Sequence, residues 1–159
     1  NMASPHTSWM LMRSLETLKV RMDQQARNAI EVANFLKNHP KIEKVYYLGF
    51  IDEQGSEREK KIYHTQFLSA GAMISFDVKG GEKEAFTFLD NLKLIKLAVS
   101  LGGTESLAEH PYTMTHTDVP LDVKNAMSIT EKLVRISVGV EYHADIIADM
   151  EQALNCIQS

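Results

Sequence analysis

Residues 133–140 read Leu133-Val134-Arg135-Ile136-Ser137-Val138-Gly139-Val140. Successive side chains of a strand point to opposite faces. Val134, Ile136, Val138 and Val140 therefore share one face, and Leu133, Arg135, Ser137 and Gly139 share the other. The first set is a core face that helices would cover. The second presents a guanidinium, a hydroxyl and a bare backbone. An arginine on a strand is most simply a solvent-facing residue. Its sharper use is anion capture, because a planar guanidinium grips a carboxylate through two parallel hydrogen bonds. On a rigid strand it would fix the orientation of an amino-acid substrate. Gly139 leaves room beside it.

Outward from this strand the hydrophobic period switches between that of helices and that of strands. Downstream, residues 144–157 form a helix with Ile146, Ile147, Met150 and Leu154 facing in. Upstream, Pro120 opens a short helix over 120–127, as proline is tolerated in a first turn. A short strand over 97–100 runs into Gly102-Gly103. Residues 82–91 are helical with Ala85, Phe86 and Leu89 buried, and 72–78 are a strand closed by Gly80-Gly81. The helix over 57–67 carries a solvated charge run, 50–56 is a polar loop, and 45–48 is a strand.

The chain opens on a long helix over 8–38, whose apolar stripe is Leu11, Leu15, Leu18, Met22, Ala26, Ile30 and Ala33. His39-Pro40 stops it. At 1.5 Å per residue it would run about 45 Å, against roughly 26 Å across a compact domain of this size. Its first turns, with Trp9, Met10 and Met12, either project towards a partner or fold back on the core. The sum is a two-layer α/β (α+β) domain. It has a small, mostly antiparallel sheet of about four strands with helices on one face, and the other face lacks a helical cover.

With 159 residues, 44% hydrophobic and 24% charged, the chain is one ordinary domain. Its net charge of −4 gives no footprint for a nucleic-acid backbone. No run of 18 apolar residues exists to cross a bilayer, and the N-terminus lacks the pattern of a signal peptide. Cys156 is the only cysteine, which forbids an internal disulfide, fits a cytoplasmic setting and packs as a small hydrophobe on the last helix. Asn1-Met2 is an unusual opening, either an added remnant or the cut edge of something larger.

Gly102-Gly103 after a strand is a turn in which the backbone can turn left-handed. It lacks a phosphate-loop pattern. His110 and His116 lie six apart, which fits neither a helical metal pair nor a common finger. Ser106 with one of these histidines lacks a nucleophile-elbow motif.

Ser100-Leu101-Gly102-Gly103-Thr104-Glu105-Ser106-Leu107-Ala108-Glu109-His110-Pro111-Tyr112-Thr113-Met114-Thr115-His116, followed by 133–141, resembles the cystathionine γ-synthase / cystathionine γ-lyase / methionine γ-lyase family. Ser4-Pro5, the run 12–18, Arg21-Met22, Phe35-Leu36, His39-Pro40, Val45-Tyr46-Tyr47 and 144–149 agree, so the likeness covers nearly all of the chain. It implies that residues 1–159 are the C-terminal, small domain of a fold-type I, pyridoxal-phosphate-dependent trans-sulfuration enzyme. The large domain, with the Schiff-base lysine and most cofactor contacts, would lie upstream in the same polypeptide. On this resemblance Arg135 is similar to the arginine that binds the substrate α-carboxylate. Ser106 looks like a serine lining the site, Glu105 matches an acidic position that helps set substrate preference, and Gly102 and Gly103 shape their loop. The cofactor would act as electron sink in elimination or replacement at Cγ of a sulfur amino acid or an activated homoserine. The full-length protein would be a dimer or tetramer, with no nucleic-acid or membrane partner, and the fragment alone would be inactive.

The sequence departs from the family pattern around Gly71, in the loop 50–56, and at Thr104 and Tyr112. The choice among lyase, synthase and sulfhydrylase stays open there. Two other functions compete: a free-standing module that binds amino acids through Arg135, and a structural oligomerisation domain.

Overall fold

The computed structural model describes residues 2–158, so the unusual opening residue Asn1 lies outside the described residues. Five strands form one sheet in the order β1-β2-β5-β4-β3. They are β1 (Ile42–Tyr46), β2 (Met73–Val78), β3 (Lys96–Leu97), β4 (Leu107–Glu109) and β5 (Leu133–Ser137). Only the β3–β4 pair is parallel. The stretch 133–140 thus supplies the central strand. The fifth strand not foreseen is β4. Its three residues are all buried, so they carry none of the alternation that marks a half-exposed strand.

The core face is as the alternation predicts as far as Val138, while Val140 is only half-buried. Val134, Ile136 and Val138 are fully buried, with Ile74, Phe76 and Val78 of β2 beside them. Each such side chain stabilises the fold by roughly 1.5–3 kcal/mol through removal from water. Three helices cover this face: α2 (Leu18–Asn38), α5 (Glu82–Asp90) and α7 (His143–Asn155). On α5 the buried set is Ala85, Phe88 and Leu89, one helical face at i, i+3 and i+4. Phe88 packs edge-on against Phe76 at 5.6 Å. Phe86, expected inside, turns outward and meets the His110 ring at 4.9 Å.

The long first helix is two helices. α1 (Pro5–Leu15) and α2 are separated at Glu16-Thr17. No proline or glycine sits there. Instead the Ser14 hydroxyl donates to the Met10 carbonyl at 2.8 Å, and Thr17 and Arg21 donate to the Ser14 carbonyl. Side chains that take up helix carbonyls in this way compete with the ladder and bend it. No residue of α1 is buried, so these turns project rather than fold back. Trp9, Met10, Leu11, Met12 and Leu15 are exposed.

Of the stripe expected on α2, Ala33 is buried but the rest is not. Met22 and Ile30 are exposed, and the buried residues are Gln25, Asn28, Ala29, Val32, Ala33 and Leu36.

Strand β1 ends at Tyr46, because Leu48–Phe50 form a 3₁₀ turn leading into α3 (Ile51–Gln54), where a polar loop was expected. The charged helix α4 (Glu57–Gln66) buries nothing, and its start is fixed by a reciprocal Ser56–Glu59 capping box. Residues 110–131, with α6 (Leu121–Ala126), lie over part of the sheet's second face, where Ile129 and Leu133 are buried. That face is therefore half covered rather than bare. Cys156, expected to pack, is exposed just past α7, its thiol donating to the Gln152 carbonyl at 3.4 Å. Among the described residues no helix is long and apolar enough to cross a membrane.

Candidate carboxylate-binding site

The register of the sheet builds a polar row across the second face. Tyr46 pairs with Ser75, Ser75 with Arg135, and Arg135 with Glu109. Directly opposed residues on one face are close enough to interact. These side chains line a cavity of about 300 Å³, closed on one side by Pro111, His116 and Ile129.

Arg135 is the centre of the row, with 22% of its side chain exposed. Its Nη1 meets Glu109 Oε1 at 2.8 Å, and its Nη2 donates to the Val99 carbonyl at 2.9 Å. Of five N–H donors on a guanidinium, the remaining three have no partner among the described residues. Glu109 is fully buried, and its Oε2 has no hydrogen-bond partner among them. Tyr46 donates to Asp77 Oδ2 at 2.8 Å; burial first, then this hydrogen bond and the Asp77 charge, push the phenol up to about 12. It is a neutral donor at any ordinary pH.

The glycine turn lies at the end of the same strand. Gly102 adopts φ +73°, the left-handed region expected of the turn. Its N–H donates to Ser137 Oγ at 3.0 Å. Gly139 is required by close approach: a Cβ there would stand 2.4 Å from the Thr104 carbonyl oxygen. The room expected beside Arg135 is filled by this loop backbone. Glu105 is exposed on the loop.

Ser106 is 1% exposed and its hydroxyl is fully engaged. It accepts from Gly139 N–H at 2.9 Å and donates to Glu141 Oε2 at 2.9 Å, while Ser106 N–H donates to Glu141 Oε1 at 2.6 Å. It touches no histidine. His110 is held by Thr113 and the Glu131 carbonyl, a structural arrangement.

So Gly102, Gly103, Glu105 and Ser106 belong to one loop, pinned to the end of β5 through Gly139 and Glu141. Arg135 reaches that region through Val99, and Ser100, the next residue, is exposed.

Four residues that hold this arrangement are not legible as site residues from sequence. Gln25 donates to the Gly103 carbonyl, and Asn28 donates to the Gly139 and Glu141 carbonyls at 3.0 and 2.7 Å. Glu141 and Glu109 complete the set. One signal was available: Gln25 and Asn28 are amides three apart on a helix, and amides on a core face are found where they serve a backbone partner.

The sequence pattern of Cys/Met metabolism PLP-dependent enzymes matches residues 1–155. The chain belongs to this family. A methionine γ-lyase of Fusobacterium nucleatum subsp. polymorphum is 47% identical over 153 residues, which are 96% of this chain and 38% of that protein. A cystathionine γ-lyase of Bacillus subtilis is 44% identical over 153 residues, 96% of this chain and 39% of that protein. The crystal structure of a cystathionine γ-lyase from Lactobacillus plantarum complexed with L-serine matches at a TM-score of 0.87 and 38% identity, over 99% of this chain and 40% of that one. The chain therefore spans about two-fifths of the length of these relatives in the Cys/Met metabolism family.

Proposed function

We propose that this chain is the C-terminal, small domain of a cytoplasmic PLP-dependent enzyme of sulfur amino-acid metabolism, and that it supplies the subsite for the substrate α-carboxylate. The reaction is γ-elimination or γ-replacement on cystathionine, methionine or an O-acylhomoserine. The observation that carries this reading is Arg135: a guanidinium on the central strand, held at two nitrogens, with three N–H donors unengaged among the described residues. A fixed guanidinium with spare donors suits a bidentate carboxylate. Held so, the carboxylate sets the orientation of the bonds at Cα. Glu105 and Ser100 stand exposed on the loop segment that would face the rest of the substrate. Ser106 works from beneath, tying that loop to β5 through Glu141 and Gly139.

The residues present suit the substrate side rather than the attachment point of the cofactor. Among the described residues the one buried lysine, Lys124, points its ammonium at the Tyr112 and Thr117 carbonyls and lies 4.1 Å from the centre of the Tyr112 ring. A lysine so engaged does not fit covalent attachment of pyridoxal phosphate. The cofactor, bound mainly by a large domain of the same polypeptide, supplies the electron sink. The exposed apolar side chains Trp9, Met10, Leu11 and Leu15 of α1, and Leu18 and Met22 of α2, support that domain and further copies of the chain as partners.

The test is Arg135→Ala in the full-length enzyme. The KM for an amino-acid substrate should rise roughly 10- to 1,000-fold, the worth of one or two charge-assisted hydrogen bonds. An unchanged KM would overturn the assignment. Calorimetric binding of free amino acids by the isolated chain would favour a free-standing module instead.

A further inference from the structure

Glu109 carries a charge that carboxylate capture by Arg135 does not itself require. It is fully buried, and its Oε1 receives Arg135 Nη1 at 2.8 Å and the Thr115 hydroxyl at 3.4 Å. Its Oε2 is buried with no partner among the described residues. A buried carboxylate left half satisfied is costly, so packing alone gives no reason for it.

Its geometry does. Glu109 meets the guanidinium through one oxygen and one nitrogen, not as a two-oxygen fork. The Val99 carbonyl takes the other terminal nitrogen. The two contacts together hold the guanidinium plane and leave three N–H donors unengaged among the described residues. The buried negative charge also offsets the arginine's positive one. An incoming anion then meets a nearly neutral pair, and its binding depends on matching the hydrogen-bond geometry more than on charge.

We propose that Glu109 is a positioning residue for Arg135, tethering the guanidinium for an α-carboxylate and lowering its attraction for other anions. This rests on the carboxylate role of Arg135. Without the charge but with the tether, as in Glu109→Gln, carboxylates bind more tightly and less selectively. With neither, as in Glu109→Ala, the guanidinium swings and carboxylates bind more weakly.

The experiment uses the full-length holoenzyme and two probes, L-methionine and 3-(methylthio)propylamine, its counterpart without the carboxylate. Dissociation constants are read by titration, with sodium sulfate as a competing anion. E109Q should tighten L-methionine roughly three- to tenfold and make sulfate a stronger competitor by a similar factor. E109A should weaken L-methionine about tenfold. Neither should move the amine. If both variants move the two probes equally, or move only the melting temperature, Glu109 is structural and the proposal falls. An E109Q constant equal to wild type beside a weakened E109A would overturn the charge-lowering role and leave the tether. Arg135→Ala separates the two levels: if it fails to abolish the preference for L-methionine over the amine, the carboxylate assignment itself is wrong. If it abolishes the preference while both Glu109 variants keep it intact, only the role of Glu109 is wrong. E109Q keeps the shape of the side chain, so the test stands even where E109A fails to fold.

Discussion

Asp149 and Glu109 are both buried, one against each face of this sheet, and they are treated very differently. Asp149, on α7, receives the backbone N–H groups of Lys93, Leu94 and Ile95, each at 2.9 Å, and the Gln152 amide at 3.2 Å. Both of its oxygens are satisfied. Glu109, on β4, has one charged neighbour and one orphan oxygen. A satisfied buried carboxylate stabilises by collecting donors that would otherwise be stranded. A half-satisfied one costs stability. The α7 side of the molecule is thus organised for stability, whereas the half-covered face around Arg135 holds the site proposed for recognition.

The largest effect should come from the satisfied site. Asp149→Ala strands three backbone donors and should cost about 3–5 kcal/mol, read as a fall in the urea midpoint of this domain's transition within the full-length protein. A loss below about 1 kcal/mol would erase the contrast.

The second effect has the opposite sign. Replacing both members of the other pair, Glu109→Met with Arg135→Met, removes an ion pair whose desolvation is poorly repaid. The double variant should be as stable as wild type or more stable by about 1–3 kcal/mol, while losing preference for carboxylate-bearing ligands. Strong destabilisation would show that the pair is part of the scaffold.

The parts of this fold visible in sequence are those with a period. The alternation in 133–140 places Val134, Ile136 and Val138 in the core, and the same spacing puts Arg135 on the other face. The helical spacing of α7 reads out Ile146, Met150 and Leu154. What sequence conceals has physical causes. Strand β4 is buried on both faces and too short to show a pattern. The true inner stripe of α2 contains Gln25 and Asn28, so a search for apolar residues settles on a stripe beside it, of which Leu18, Met22 and Ile30 stay exposed. The glycines of the site are legible as punctuation, but not which of them is forced. Gly139 is forced by the backbone of 104–105 passing over it, a contact between segments 35 residues apart. Ser106 is likewise visible as a motif position, yet only the fold shows its hydroxyl spent on Gly139 and Glu141.

The smallest effect sharpens the comparison from the α7 side. His39 packs there with only 7% of its side chain exposed, its Nε2 3.4 Å from Glu151 Oε2. Its Nδ1 accepts the Lys41 N–H at 3.2 Å, so the folded protein holds the ring neutral, with the proton on Nε2. Burial depresses its pKa, and the Lys41 charge adds to this, against an opposing pull from Glu151. In the unfolded chain the ring takes up a proton near 6.5. Between the depressed value and 6.5 the unfolded state therefore binds more protons, and stability falls as the solution is acidified through that window. The stability His39 contributes is complete above pH 6.5 and lost below it. His39→Gln, which keeps an acceptor but cannot titrate, should flatten the urea midpoint between pH 7 and 5 relative to wild type. A variant with the same acid slope as wild type would show that His39 does not carry the sensitivity, and Glu59 and Glu84 cannot stand in for it in this window. Hydrogen bonds at their helix starts hold both below the usual carboxylate range, so their contribution is lost only at lower pH.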